Sequence, residues 1–254
     1  MTPAVYSMCT IWHREIKRYW RAKSRIVGSL GMPFFFFALL GTGLSPGVTL
    51  KGGSISYLEF IAPGIIGMVL IFTSTFSGLS VIWDRQFGFL KEIMVAPVSR
   101  SSIVLGKTLG GATTSLIQGL LMLVLIIFIG ARVGSIQGFL ISLFIMILIS
   151  ISFVSLGISF SAFIKDVHGY QLVMNFLIMP IFFLSGALFP LSGLPPFLRV
   201  FAYIDPLTYG VDALRYAFLG VSDFPFLLDI CAIIIFSALM VTTGTFLFKR
   251  VSST

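Results

Sequence analysis

Six long runs of apolar residues, none with an acidic or basic residue near its middle, are separated by short polar stretches along this chain. They cover residues 26–44, 60–82, 109–130, 138–162, 171–189 and 226–247. Each is about as long as the roughly 20 residues a helix needs to cross a hydrocarbon layer about 30 Å thick. A core helix of a soluble protein seldom sustains such a run. Six of them predict an all-α polytopic membrane protein with six transmembrane helices. The best polar candidates near a midplane are Gln118 and Asn175. Carriers driven by ion gradients usually keep Asp, Glu or His inside the bilayer, where an ionisable group is costly and retained for function. The uncharged midplanes place the driving force elsewhere.

The polar positions between the runs predict three further elements. Wound as a helix at about 100° per residue, residues 5–21 gather Trp12, Ile16, Tyr19 and Trp20 on one side and Arg14, Lys17, Arg18 and Arg21 on the other. Aromatic residues opposite cations predict an interfacial amphipathic helix lying flat among lipid headgroups. Residues 83–108 form the one substantial cytoplasmic loop. A helix from about Phe87 ends at Ala96, because Pro97 disfavours helical geometry before it. Phe87, Leu90 and Met94 then share a face that suits a groove on a soluble partner. Residues 190–222 are apolar but interrupted by Pro190, Pro195, Pro196 and Pro206. Two more crossings would need roughly 40 residues, and a single one would place Lys249 and Arg250 on the wrong side. The stretch is therefore predicted as a re-entrant helical hairpin dipping into the outer leaflet. Pro195–Pro196 opens its first helix, and Asp205–Pro206 gives the second an N-cap followed by proline at the first helical position. Backbone broken at membrane depth is tolerated only where protein buries it or water reaches it, so this segment is expected to be functional.

With 57% hydrophobic and 10% charged residues in 254, the chain fits no soluble globular class and leaves room for a single membrane domain, 1–254. A net charge of +8 could point to nucleic acid, but the positions of the cations exclude that partner. Arg14, Lys17, Arg18, Arg21, Lys23, Arg25, Arg85, Lys91, Arg100, Lys107, Lys165, Lys249 and Arg250 fall on one side, and Lys51, Arg132, Arg199 and Arg215 on the other. The positive-inside rule then predicts a multi-pass protein of the plasma membrane with both termini cytoplasmic. Cys9 and Cys231 are expected to form no bridge. The basic N-terminus, with no small-residue cleavage pattern after it, is not read as a cleavable signal.

Chemistry on the chain itself is sparse. Gly106-Lys107-Thr108 looks like the tail of a P-loop, but Ser101 stands where the motif needs its first glycine and no strand precedes it. His13 and His168 stand alone, so no metal site is predicted, and no nucleophile–base pair is legible. No cofactor is expected on this chain, and a membrane-embedded enzyme is the weakest reading. Asp212 and Arg215 are spaced i, i+3 and could pair on a helix face, fixing orientation more than adding stability.

Two stretches carry a resemblance. One is the loop pattern Asp84-Arg85, Gly88, Leu90, Pro97, Ser99, Arg100. The other is the set Ser185-Gly186, Phe189-Pro190, Leu194-Pro195, Pro206, Asp212 and Arg215. Their order and the six-span plan resemble the type-2 permease subunits of ATP-binding-cassette exporters, in the branch of daunorubicin-resistance and nodulation lipo-oligosaccharide permeases. The resemblance covers essentially the whole chain; Lys91 departs from it, standing where the family usually has Glu, although Glu92 is adjacent. It implies a non-catalytic permease, paired with a second copy or a sibling in a dimer, on separate ABC ATPase subunits that hold ATP and Mg. Asp84, Arg85, Phe87, Gly88, Leu90, Glu92, Pro97 and Arg100 would belong to the ATPase-coupling segment. Ser185, Gly186, Pro190, Pro195, Asp205, Pro206, Tyr209, Asp212 and Arg215 would form the external gate. Trp12, Arg14, Lys17, Arg18, Trp20 and Arg21 would seat the interfacial helix on membrane lipid. The expected cargo is drug-like or lipid-linked and amphipathic, since 27 phenylalanines and 10 methionines make adaptable apolar surface. The alternatives are export of polysaccharide or lipo-oligosaccharide and, from another class, a carrier or channel that works without an ATPase.

Overall fold

The computed structural model describes residues 3–45, 49–50, 55–88, 98–131 and 134–251, and the backbone alone at 3, 25, 49, 50 and 249–251. Helix α1 spans Pro3–Arg21 and α2 Lys23–Phe36, the latter continuing through a wider π-turn, Phe37–Gly41, to a last turn at Thr42–Leu44. Thr49–Leu50 and Ile55–Ser56 pair as a two-residue antiparallel ladder. Then follow α3 (Tyr57–Phe76), α4 (Leu79–Gln86), α5 (Arg100–Ile129), α6 (Ile136–Ser161), α7 (Val167–Leu184), α8 (Pro196–Ile204), α9 (Pro206–Leu219) and α10 (Phe226–Val251). Six stretches among the described residues are long and apolar enough to cross a membrane: Ile26–Leu44, Tyr57–Gln86, Arg100–Ile129, Ile136–Ser161, Val167–Leu184 and Phe226–Phe248.

Local chemistry explains where these helices begin. Ser56 and Glu59 form a reciprocal capping box at the start of α3. Ser99 accepts from the Ser102 amide and starts α5 at Arg100, nine positions before the apolar run, so the end of the expected 83–108 loop is helical. Ser135 and Asp166 cap α6 and α7 in the same way.

The second span tightens midway into a turn of i, i+3 hydrogen bonds. α3 ends at Phe76 and α4 starts at Leu79, and a Cβ on Gly78 would overlap the Tyr170 hydroxyl and the Gly157 carbonyl. That hydroxyl lies 2.6 Å from the Thr75 carbonyl oxygen and 3.1 Å from that of Gly157. Tyr170 thus ties the turn, where the Thr75 carbonyl also accepts from the Gly78 amide at 3.1 Å, to Gly157 of α6.

α3 runs through the centre of the bundle, with Ile61, Ile65, Ile66, Leu70 and Ile71 wholly buried. It packs against α2, α5, α6, α7 and α9, and α6 packs in turn against α5, α9 and α10. α2, α7 and α10 lie outside this core and expose apolar side chains such as Phe35, Leu39, Phe176 and Ile235.

Candidate functional site

α1 docks along the first half of α5 because small residues let the two helices approach. A Cβ on Gly106 would meet Ile11, and one on Gly110 would meet Glu15. Trp12 donates from Nε1 to Thr113 Oγ1 at 3.0 Å. This contact brings Arg14, Glu15 and Arg18 to Asp84 near the end of α4 and to Lys107 of α5. Lys107 Nζ lies 2.5 Å from Asp84 Oδ2 and 3.3 Å from Glu15 Oε1, and donates to Ser80 Oγ at 3.2 Å. Arg14 Nη2 is 2.6 Å from Asp84 Oδ2 and 3.2 Å from Glu15 Oε1. Arg18 stands further off, at 3.6 Å from Asp84 and 3.8 Å from Glu15, with its guanidinium 5.1 Å from the Trp83 ring centroid. Arg85 donates to the Ser161 carbonyl at 3.0 Å, and Gln86 to that of Lys165 at 3.3 Å. One short helix end is therefore tied to α1, α5, α6 and the turn after α6.

Sequence reasoning placed Arg14, Lys17, Arg18 and Arg21 on one cationic face. In the structure Arg14 and Arg18 meet Asp84, whereas Lys17, Arg21 and Trp20 are exposed. Phe87 is 83% exposed and Gly88 adopts φ 78°, a left-handed conformation suited to glycine. Arg100 opens α5. Leu90, Glu92 and Pro97 lie outside the described residues. Lys107 and Glu15 were missed as site residues. Lys107 read as a failed nucleotide motif, and Glu15 was a lone acid among cations; only the docking of α1 unites them.

A cavity of about 810 Å³ opens beside the ionic cluster, between α2, α3–α4, α5 and α7. Its lining mixes charged, polar and apolar groups. Glu15, Arg18 and Lys107 of the ionic cluster line it, together with the polar Ser29, Gln171 and Asn175 and the apolar Met32, Met68, Phe72 and Met179. Gln118, 1% exposed, donates to the Ile26 carbonyl at 3.3 Å and to Ser29 Oγ, while its Oε1 has no partner. Both polar residues singled out near a midplane, Gln118 and Asn175, line this space.

At the opposite end of α3, α9 sits among α3, α6 and α10 with Leu207, Val211, Ala213 and Leu214 wholly buried. Asp205 caps it, accepting from the Leu207 amide at 2.9 Å and from Thr208 Oγ1 at 3.3 Å, with Pro206 next. Burial pushes the Asp205 carboxyl up to about 8, against those two hydrogen bonds. Asp212 accepts from the Asp223 and Phe224 amides, each at 2.9 Å, and from Arg215 Nη1 at 3.4 Å. Arg215 donates from Nη2 to the Gly186 carbonyl at 2.7 Å and lies 4.2 Å from the Phe60 ring centroid. Gly186 takes φ 71°, and Ser185 donates to the Phe182 carbonyl at 2.7 Å. Pro190 precedes a 3₁₀ turn, Leu191–Gly193, and Pro195 precedes α8. Tyr209 donates to the Tyr203 carbonyl at 2.6 Å. The structure therefore joins Gly186, Asp212 and Arg215 directly. It adds Phe60, Asp223 and Phe224, which no local spacing could have indicated.

Residues 6–219 match the ABC-2 type transporter family. The inner membrane transport permease YadH of Escherichia coli K12 is 27% identical over 230 residues, covering 89% of this chain and 88% of that protein. The ycf38 protein of Porphyra purpurea is 30% identical over 229 residues, covering 85% and 77%. Nodulation protein J of Rhizobium leguminosarum bv. trifolii is 28% identical over 215 residues, covering 83% and 80%.

Proposed function

This chain belongs to the ABC-2 type transporter family and is a multi-pass membrane permease subunit of an exporter; from that premise we propose that it moves amphipathic, drug-like or lipid-linked molecules out of the cytoplasm, driven by ATP hydrolysis on a separate ABC ATPase that binds ATP and Mg. Residues 85–97 receive the ATPase stroke, and α1 lies at the cytoplasmic membrane surface as a brace. The α8–α9 pair re-enters the outer leaflet as the external gate. Two permease copies, or this chain and a sibling, complete the pathway.

The observation that supports this reading most is the ionic junction at Asp84. The coupling segment begins one residue beyond it, and Asp84 and Arg85 together reach α1, α5 and α6. A push on that segment is passed to three helices through short, charge-assisted contacts, which are stronger and better oriented than neutral ones.

The test is copurification of the chain with an ABC ATPase, followed by reconstitution with a fluorescent amphiphile. Gly88→Asp or Leu90→Asp should leave ATP hydrolysis in place and abolish the transport it drives. Unchanged coupled transport in both variants refutes the assignment of the coupling segment. Uphill transport by the permease alone, under an ion gradient, refutes the dependence on an ATPase.

A further inference from the structure

We propose that the cavity beside the ionic cluster is a receptor for anionic amphiphiles. A single negatively charged head binds at Arg18, and the apolar body extends along Phe72, Met68 and Met179. This deepens the permease reading and rests on it, because it names the class of molecule the pathway accepts.

The charges make the first part of the argument. Among the described residues, three cations, Arg14, Arg18 and Lys107, face two carboxylates, Glu15 and Asp84, an excess of one positive charge. That excess is concentrated on Arg18. Lys107 and Arg14 hold Asp84 at 2.5 and 2.6 Å, whereas Arg18 approaches the acids only to 3.6 and 3.8 Å, outside hydrogen-bonding range. Its side chain is 35% exposed and lines the cavity. Glu15 also lines the cavity; Lys107 and Arg14 occupy its Oε1, and its Oε2 stands 3.8 Å from Arg18, the oxygen an incoming anion has to outcompete. An incoming carboxylate or phosphate finds a planar donor set suited to two-pronged binding, already oriented by Trp83.

The shape of the cavity makes the second part. Lys107 and Gln118 both line it and stand eleven positions apart on α5, roughly 16 Å at a rise of about 1.5 Å per residue. The same lining holds the amides of Gln171 and Asn175, the thioethers of Met32, Met68 and Met179, and the ring of Phe72. A volume of about 810 Å³ suits a single-chain amphiphile, within the usual range of small-molecule sites. A neutral amphiphile gains nothing from the charged groups, and a cationic one is repelled by the excess charge.

The full-length permease in phosphatidylcholine nanodiscs is titrated with dansyl-labelled undecanoic acid, its methyl ester and the matching trimethylammonium compound. The acid should give saturable fluorescence, with the other two at least about tenfold weaker, the scale of one charge-assisted contact. Arg18→Gln should weaken acid binding about tenfold and leave the ester unchanged, while Arg18→Lys keeps most of it. Lys23→Gln, exposed at the start of α2, should change nothing. Equal binding of acid and ester by the unaltered chain overturns the proposal without recourse to any variant, and so does undiminished acid binding in Arg18→Gln. Doping the nanodiscs with phosphatidylglycerol separates two sources of the same chemistry. Displacement of the probe assigns the site to an acidic phospholipid, and full retention assigns it to a soluble cargo. No ATPase is present in the assay, so its failure leaves the copurification test of the permease reading untouched.

Discussion

Lys107 is an ammonium group with 1% of its side chain exposed, held by Asp84, Glu15 and Ser80. Removing one partner of such a pair strands the other charge in poor solvation, which costs about 3–5 kcal/mol. Lys107→Met and Asp84→Asn should each lower the unfolding midpoint of the detergent-purified chain. The double variant should recover part of that loss, because it removes both members together. Asp205 gives a pH test. Its carboxyl titrates near 8 when folded and at an ordinary 3.8 when unfolded, so the folded state holds the proton more tightly. Its contribution to stability is fully present below 3.8 and is lost as pH rises to about 8. Asn caps helices as well as Asp. Asp205→Asn should therefore preserve stability at low pH and flatten this part of the decline, measured as the midpoint difference between the two ends of that window.

Between elements, close backbone approach decides packing. A Cβ on Gly64 would run into the backbone of Ala187, where the turn after α7 crosses α3, whereas Gly31 has nothing nearby. Gly64→Ala should destabilise by about 1–3 kcal/mol, and Gly31→Ala should be neutral or slightly stabilising through helix propensity. Thermal unfolding of the two variants side by side checks the contrast. The helices themselves were legible in sequence because length and hydrophobicity alone mark a spanning segment. The caps at Ser99 and Asp205 obey local rules. The Asp212–Arg215 pair was legible because both partners sit on one helix turn. What sequence could not reveal depends on distant chain meeting distant chain. The interruption at Ser77–Gly78 falls inside an unbroken apolar run, and the group that fits it is Tyr170, 95 residues from Thr75. The ionic cluster likewise requires α1 to seat on Gly106 and Gly110. Gly186 joins Arg215 across 29 positions.

At the scale of the whole molecule, the two polar networks occupy opposite ends of one central rod, with Phe60 under Arg215 at one end and Asp84 at the other. On the proposed reading, α3 and α4 link events at the ATPase face to those at the outer face. Arg215→Leu should cut ATP-dependent transport at least about tenfold, the loss of a buried charged contact, while copurification with the ATPase is unchanged. A loss of copurification would place Arg215 in general folding instead. The exposed apolar faces of α2, α7 and α10 leave ample surface for lipid and for a second permease copy.

The rod is made in two pieces, and this shapes how work travels along it. A rigid second span would carry any tilt of its lower segment straight to the far mouth. With a tightened turn at Ser77–Gly78, the eight-residue lower piece is a crank, and the Tyr170 hydroxyl is the pin that holds the end of the upper shaft, at Thr75, against Gly157 of α6. Tyr170→Phe would leave the crank turning loosely: nucleotide consumption by the partner should continue while fewer molecules cross per ATP spent.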